Sequence, residues 1–173
     1  MKDLKIVTIS CKQNKLIPNN QKFPVVIYKN CFGSKIAEIE TIFNHHNWLN
    51  NWTNGVFPYH HYHSNTHEVL GVIAGEAELK IGGETGEDFH LAKGDVVILP
   101  AGTGHKRLSS SSDFKVVGAY PEGMSPNLRT EHRNKEKDRE EIEGVLIPNQ
   151  DPVFGHEGPL FDYWLNKGGK CKG

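Results

Sequence analysis

Between Val56 and Tyr120 the chain is a succession of short apolar runs cut by glycine: VLGVIAG, AELKIGG, FHLAKG, DVVILPAG and DFKVVGAYP. Within AELKI, Ala77, Leu79 and Ile81 alternate with Glu78 and Lys80, the period of a strand with one buried and one wet face. Strands this short and this close together predict an antiparallel sandwich or barrel. No segment of this region is long and periodic enough to be a crossover helix, which argues against a parallel α/β sheet.

The flanks have a different pattern. LKIVTIS and FPVVIYK are β-branched strand candidates separated by the polar KQNKLIPNNQK. GSKIAEIETIFNHHNWLNNW predicts a helix: Ser34 is a candidate N-cap, Ile36, Ile39, Ile42 and Phe43 recur at three- and four-residue steps, and Trp48 and Leu49 extend the stripe. Asn50, Asn51, Asn54 and Gly55 mark its exit. Residues 1–54 are therefore expected to form an arm of strands and one helix packed on a barrel core at 55–122. Residues 123–173 follow as a charged segment, a C-terminal strand or lid and a tail, all within one domain. In that last part, RTEHRNKEKDREEIE mixes both signs and is expected to be a solvated loop or exposed helix. The turn-rich DPVFGHEGPL is expected to lie over the barrel mouth as a lid, before a structured FDYWL and a flexible NKGGKCKG.

Charge narrows the partners. Twenty basic and 21 acidic residues leave a formal net charge of −1, so no overall field exists to hold a nucleic-acid backbone or an anionic membrane. A small-molecule ligand is the expected partner. Cys11, Cys31 and Cys171 are odd in number and far apart, with no C-x-x-C pair, so neither a disulfide framework nor a thiolate zinc site is expected. A reducing cytoplasm suits that cysteine usage. MKDLKIVTIS does not read as a signal peptide, and no run approaches the roughly 18 apolar residues of a membrane span.

The candidate chemistry lies in GVFPYHHYHSNTHEVLGVIAG. In an extended chain residues two apart point the same way, so His61 and His63 present two imidazoles to one side while His60 and Tyr62 face the other. Two imidazoles need a further ligand to complete a metal site, and His67 and Glu68 are both candidates. Strict alternation selects His67, whereas a break of register at Ser64, Asn65 and Thr66 selects Glu68, so period counting leaves the choice open. In GDVVILPAGTGHKRLS, Pro100 ends a strand, and Gly102 and Gly104 are expected to take positive φ values that turn His105 back toward the sheet interior. Tyr59 shares the parity of His61 and His63 and is a candidate proton donor or rim residue. Arg107, two residues after His105, is a candidate for binding an anionic substrate or an exposed strand charge. His45, His46, His90, His132 and His156 read as structural or solvated, and Trp48, Trp52 and Trp164 as core or dimer interface.

The two clusters resemble the two motifs of the cupin superfamily. Against G(X)5HXH(X)3,4E(X)6G the chain has Gly55, His61, His63, Glu68 and Gly75, with every interval in place. Against G(X)5PXG(X)2H(X)3N it has Gly94, Pro100, Gly102 and His105, with Ser109 where the pattern has asparagine. HYHSNTHEVLGVIAG, LPAGTGHKRLS, VVGAYPEG and DPVFGHEGPL resemble the YjlB-type branch of single-domain cupins. The resemblance implies an all-β fold, a jelly-roll barrel or double-stranded β-helix, with His61, His63, Glu68 and His105 as metal ligands inside it. It implies a divalent transition metal, iron, manganese, nickel or zinc, with coordination positions left open, and a homodimer. His67 then becomes a neighbour of the site, as a ligand or behind one. The function implied is a small-molecule metalloenzyme, a metal-dependent dioxygenase or an isomerase. The alternative is a non-enzymatic protein that binds a metal or a small metabolite.

Overall fold

The β-branched runs do become strands. The computed structural model describes residues 4–165, so the expected flexible tail NKGGKCKG, with Cys171, lies outside the described residues. Nine strands appear among the described residues: β1 (Lys5–Ile9), β2 (Val25–Lys29), β3 (Trp48–Asn54), β4 (Glu68–Ala74), β5 (Glu76–Ile81), β6 (Glu87–Ala92), β7 (Val96–Leu99), β8 (His105–Ser110) and β9 (Lys115–Pro121). They pair antiparallel in a six-stranded sheet, order β1-β2-β7-β4-β9-β3, and a three-stranded sheet, order β6-β5-β8. This is the expected all-β, jelly-roll type of architecture.

Strand parity divides the core in two. Val25, Ile27, Leu70, Val72, Val97, Leu99 and Val116 of the larger sheet pack with Ala77, Leu79, Ile81 and Leu91 of the smaller one. The alternate residues, Val26, Tyr28, Val69, Val96, Ile98, Val117 and Ala119, form a second cluster on the outer face. That face is covered by α1 (Ile39–His45), which buries Ile39 and Phe43, and by α3 (Leu160–Trp164), which buries Leu160 and Trp164. A sheet buried on both faces has no need of polar alternation, which explains why VVIYK and VVIL are apolar at nearly every position.

Three expectations for the flanks are corrected. Residues 1–54 are no appended arm: β1 and β2 extend the large sheet through β7, and β3 pairs with β9. The expected 20-residue helical stretch is only a 3-10 turn at Ile36–Glu38 followed by α1, with Lys35 and Glu38 at the cap positions and no side-chain cap. Asn47 adopts a left-handed φ of 63° and turns the chain, after which Trp48–Asn54 runs as β3, with Asn50 at φ 59° where the register slips. Asparagine tolerates this conformation because its short side chain bonds locally, so a stripe that is helical by spacing is cut by a turn at Asn47 and an irregularity within the strand at Asn50. The strand candidates also left out β8, whose HKRLSS offers Leu108 as its only large apolar residue.

The C-terminal segment is the third. FDYWL is a helix, and DPVFGHEGPL is not a lid over the mouth but packs on the outer face. Asp151, completely buried, accepts backbone N–H bonds from Val153 (2.8 Å), Phe154 (3.1 Å) and Leu160 (3.1 Å) and a hydroxyl bond from Tyr28. Trp48 Nε1 donates to the Gln150 carbonyl at 2.8 Å. The segment thus seals apolar sheet surface that β1 to β9 alone leave wet. The charged stretch before it is also partly built in. α2 (Lys135–Glu143) buries Ile142 and Asp138, and the Asp138 carboxylate accepts from Tyr62 (2.6 Å) and Arg129 (2.6 Å).

Removing the Asp151 carboxylate strands three backbone donors and a buried hydroxyl. Asp151→Ala is expected to lower unfolding stability by about 3 kcal/mol, read from urea denaturation. An unchanged urea midpoint would mean that the segment is a dispensable flap after all.

Candidate metal centre

Two backbone clips bring the clusters together. His61 and His105 exchange N–H···O bonds of 3.2 and 3.0 Å, tying the first cluster to the start of β8. Gly102, at φ 89°, donates to the His63 carbonyl at 2.7 Å and shapes the turn after Pro100. Gly104 lacks the expected positive φ; a side chain there would meet Ile17 at 2.7 Å, so its smallness is what matters. Between His63 and β4 the chain bends at Ser64 and Asn65. That bend breaks the alternation and sends Glu68, not His67, to the face of Leu70 and Val72 between the sheets.

Glu68 Oε1 lies 3.4 Å from Nε2 of His63 and 3.4 Å from Nε2 of His105, and the three ligand atoms lie within 4.8 Å of one another. His61 stands beside this group rather than inside it, its ring centroid 4.1 Å from that of His105. Each imidazole turns Nδ1 toward a backbone carbonyl: His61 to Tyr59 (3.0 Å), His63 to Asn127, and His105 to Thr103 (3.1 Å). A carbonyl only accepts, so Nδ1 carries the hydrogen and Nε2 carries the lone pair. Glu68 is buried; its Oε2 accepts the Tyr120 hydroxyl at 2.8 Å, and its Oε1 has no hydrogen-bond partner. Acceptors therefore converge on an acceptor, an arrangement that a cation between them resolves.

The electrostatics agree. Burial alone raises the Glu68 pKa, but a hydrogen bond and positive charge from His105 and His63, supplied when a proton occupies Nε2, outweigh it and hold the carboxyl well below the usual range. Burial likewise depresses His63, and there the Glu68 carboxylate prevails and raises it. Both directions express one pull: the carboxylate draws positive charge into the space it shares with the imidazoles. His61, desolvated and next to His105, is pushed down to about 3 and stays neutral.

Two supporting groups escaped sequence reading. Trp52 Nε1 donates to the Tyr120 hydroxyl at 2.8 Å, and that hydroxyl donates to Glu68. Gly118 makes the contact possible, because a Cβ there would overlap the Trp52 indole. Parity along KVVGAYP, which puts Val116, Gly118 and Tyr120 on one face, carries a signal for Tyr120; Trp52 was hidden by the helix expectation. Asn127 holds His63 through a main-chain carbonyl, for which no side-chain pattern exists. Its segment is fastened to the first cluster, with Tyr62 and Arg129 exchanging N–H···O bonds of 2.8 and 3.0 Å and Asn127 Oδ1 accepting the Ser64 N–H at 2.9 Å.

The site opens into a cavity of about 410 Å³ whose walls include Trp52, Val56, Phe57, Pro126, Leu128 and Arg107. Pro126 and Leu128 thus line the cavity, where a lid from residues 151–160 is expected from sequence. Tyr59 is outside this lining: it is exposed, stacks on Phe57 at 5.0 Å and meets the His61 ring edge-on at 5.8 Å, so it sits at the rim. His67 is corrected from candidate ligand to core residue. It is fully buried on the outer side, with Nδ1 accepting the Ala101 N–H (2.9 Å), Nε2 donating to the Leu146 carbonyl (3.1 Å), and its ring 4.8 Å from that of Trp164. Both nitrogens are committed and none is left for a metal. His60 and His90 pair with carboxylates, Glu84 at 2.8 Å and Glu78 at 2.7 Å, away from the site.

Comparison with known proteins places these features in a wider set. Residues 52–117 match the profile of the cupin domain. The chain is 44% identical over 150 residues to "Uncharacterized protein YjlB" of Bacillus subtilis (strain 168), covering 86% of this chain and 90% of that one. Among solved structures, a conserved protein with a double-stranded β-helix domain from Klebsiella pneumoniae subsp. pneumoniae MGH 78578 is similar over 68% of this chain and 82% of its own, at 18% identity and a TM-score of 0.38. An acireductone dioxygenase from Bacillus anthracis, with a cadmium ion in its active centre, is similar over 56% of this chain and 64% of its own, at 21% identity and a TM-score of 0.35.

The structural role of His67 has a pH signature. Burial pushes it down from 6.5 to about 4, so below 6.5 the unfolded chain binds a proton that the fold refuses. Its stabilisation is fully present above pH 6.5 and is lost as pH falls toward 4, amounting to about 3 kcal/mol over that window. His67→Phe is expected to cost about 2 kcal/mol at pH 7.5 through its two lost hydrogen bonds, to flatten the acid limb of the stability curve, and to leave metal content unchanged. Loss of metal from this variant would return His67 to the ligand set.

Proposed function

The chain belongs to the YjlB-type cupins, and from that premise we propose that it is a small-molecule metalloenzyme of the oxygenase or isomerase kind. In this reading His61, His63, His105 and Glu68 hold a divalent transition metal, and iron, manganese, nickel and zinc all suit such a donor set. The observation that carries it is the buried Glu68 Oε1, without a donor and 3.4 Å from two imidazole nitrogens. When bound, such a metal supplies a Lewis acid that polarises a substrate oxygen and, where redox-active, electrons for dioxygen.

The remaining residues bind and orient. The carbonyls of Tyr59, Asn127 and Thr103 fix the imidazole tautomers. Trp52 and Tyr120 fix the carboxylate plane from behind. Phe57, Pro126 and Leu128 give the cavity an apolar wall. Cys11 and Cys31 are thiols that burial pushes up to about 11 and 12, so they are poor nucleophiles and have no part in the chemistry.

One observation favours the second reading, a non-enzymatic metal- or metabolite-binding protein. Among the described residues Glu68 is the only carboxylate in the cavity lining, and the Tyr120 hydroxyl is already committed to it, so no separate acid and base among them flank the site.

Protein purified without chelator is expected to contain about one transition metal per chain by elemental analysis. Glu68→Ala and His63→Ala are expected to lose it, while His60→Ala retains it. The metal-loaded protein, offered oxo acids, sugars and catechols, is expected to turn over one class. Return of every compound unchanged would select the binding reading, and absence of stoichiometric metal would end the metalloenzyme reading and leave only metabolite binding.

A further inference from the structure

Among the described residues, Arg107 is the only lysine or arginine lining the cavity. It follows His105 by two positions on β8, so both side chains leave the strand on one face. Its N–H bonds to the Phe57 carbonyl at 3.0 Å, which fixes the strand against the mouth. Four other cations of the fold have carboxylates: Lys29 has Asp95, Lys80 has Asp88, Arg129 has Asp138 and Glu141, and Arg139 has Glu143. Among the described residues no ion pair or side-chain hydrogen bond takes the Arg107 guanidinium, although the residue is only partly exposed. Five donors in a fixed fork, on a residue that lines the cavity, are matched by a planar anion.

The rest of the lining narrows the class. Trp52, Phe57, Pro126 and Leu128 form apolar walls, and outside the Glu68 cluster the polar side chains in the lining are Asn54 and Arg107. A sugar buried there would leave several hydroxyls unpaired, which disfavours it. A volume of about 410 Å³ suits a small molecule and not a peptide or a nucleotide cofactor. Charge points the same way. Resting on the metal reading, a divalent ion with the Glu68 carboxylate leaves one net positive charge, and Arg107 adds a second at the mouth.

We propose that this cavity is selective for small monocarboxylates with an apolar or aromatic body, with the carboxylate held by Arg107 and the body against Phe57, Pro126 and Leu128. Arg107 is then the residue that sets specificity for charge, and the Glu68 cluster faces the other end of the ligand.

The test uses two stable probes of one shape, 3-phenylpropionate and its neutral counterpart 3-phenylpropionamide, titrated calorimetrically into zinc-loaded wild-type protein, Arg107→Gln and Arg107→Lys. The carboxylate is expected to bind wild type more tightly than the amide and to lose about 10- to 100-fold in affinity in Arg107→Gln. Arg107→Lys is expected to fall between, because a point charge replaces a fork. The amide is expected to bind wild type and Arg107→Gln alike. Zinc content, read separately by elemental analysis, is expected to be equal in all three proteins, so failure of the metal reading shows there and failure of this proposal shows in the titrations. Equal carboxylate affinity in wild type and Arg107→Gln overturns it. So does an equal loss of amide affinity, which would make Arg107 merely structural, or no carboxylate binding by wild type.

Discussion

A carboxylate enclosed in protein is tolerable only when its charge is matched, and Glu68 is matched on one side only. Tyr120 serves one oxygen; the other faces two imidazole nitrogens that backbone carbonyls have already made into acceptors. Stacked lone pairs of this kind in a buried setting favour the entry of positive charge. The raised His63 and the lowered Glu68 are two readings of that same demand. The metal reading and the placement of Trp52 behind Tyr120 both follow from it.

The fold holds this arrangement by burying the large sheet on both faces. On the inner face, β4 and β7 set Glu68 opposite Leu99, close to the turn that delivers His105. On the outer face, α1, α3 and the segment around Asp151 exclude water from a sheet that would otherwise be half wet. His67 belongs to that outer layer and ties the Pro100–Gly102 turn to the C-terminal extension through Ala101 and Leu146. Adjacent residues in the sequence, His67 and Glu68, therefore serve opposite faces: one locks the scaffold and the other carries the charge. The 125–129 segment joins the two tasks, since Asn127 orients His63 while Pro126 and Leu128 wall the cavity.

Most strands of the central region could be read directly from the chain, because period-two alternation is a local signal; the pairing of His61 with His63 followed from parity, whereas Glu68 as their partner with His105 followed only from the resemblance to the cupin motifs. Parity alone could not separate His67 from Glu68; the bend at Ser64 and Asn65 did, and it is fixed by Asn127, more than 60 residues away. The helix expectation beyond His45 failed because apolar spacing compatible with three- and four-residue steps in Trp48, Leu49 and Trp52 is equally compatible with a strand, and two asparagines in left-handed conformations decided it. The supposed lid failed for a different reason. A turn-rich segment declares that it bends, not which surface it covers, and here the buried donors around Asp151 and the Tyr28 hydroxyl chose the outer face. Tyr120 was legible by parity, whereas the role of Trp52 depends on the absent side chain at Gly118, which only the folded register reveals.

The central claim is that the unmatched Glu68 oxygen and the imidazole nitrogens share one cation. X-ray absorption at the metal edge of the loaded protein tests it most directly. The account predicts a single N/O shell near 2.0–2.2 Å with the outer-shell scattering of three imidazoles and one carboxylate, and with Glu68→Gln altering that shell. A spectrum with no imidazole scattering, or one indifferent to Glu68→Gln, would contradict it.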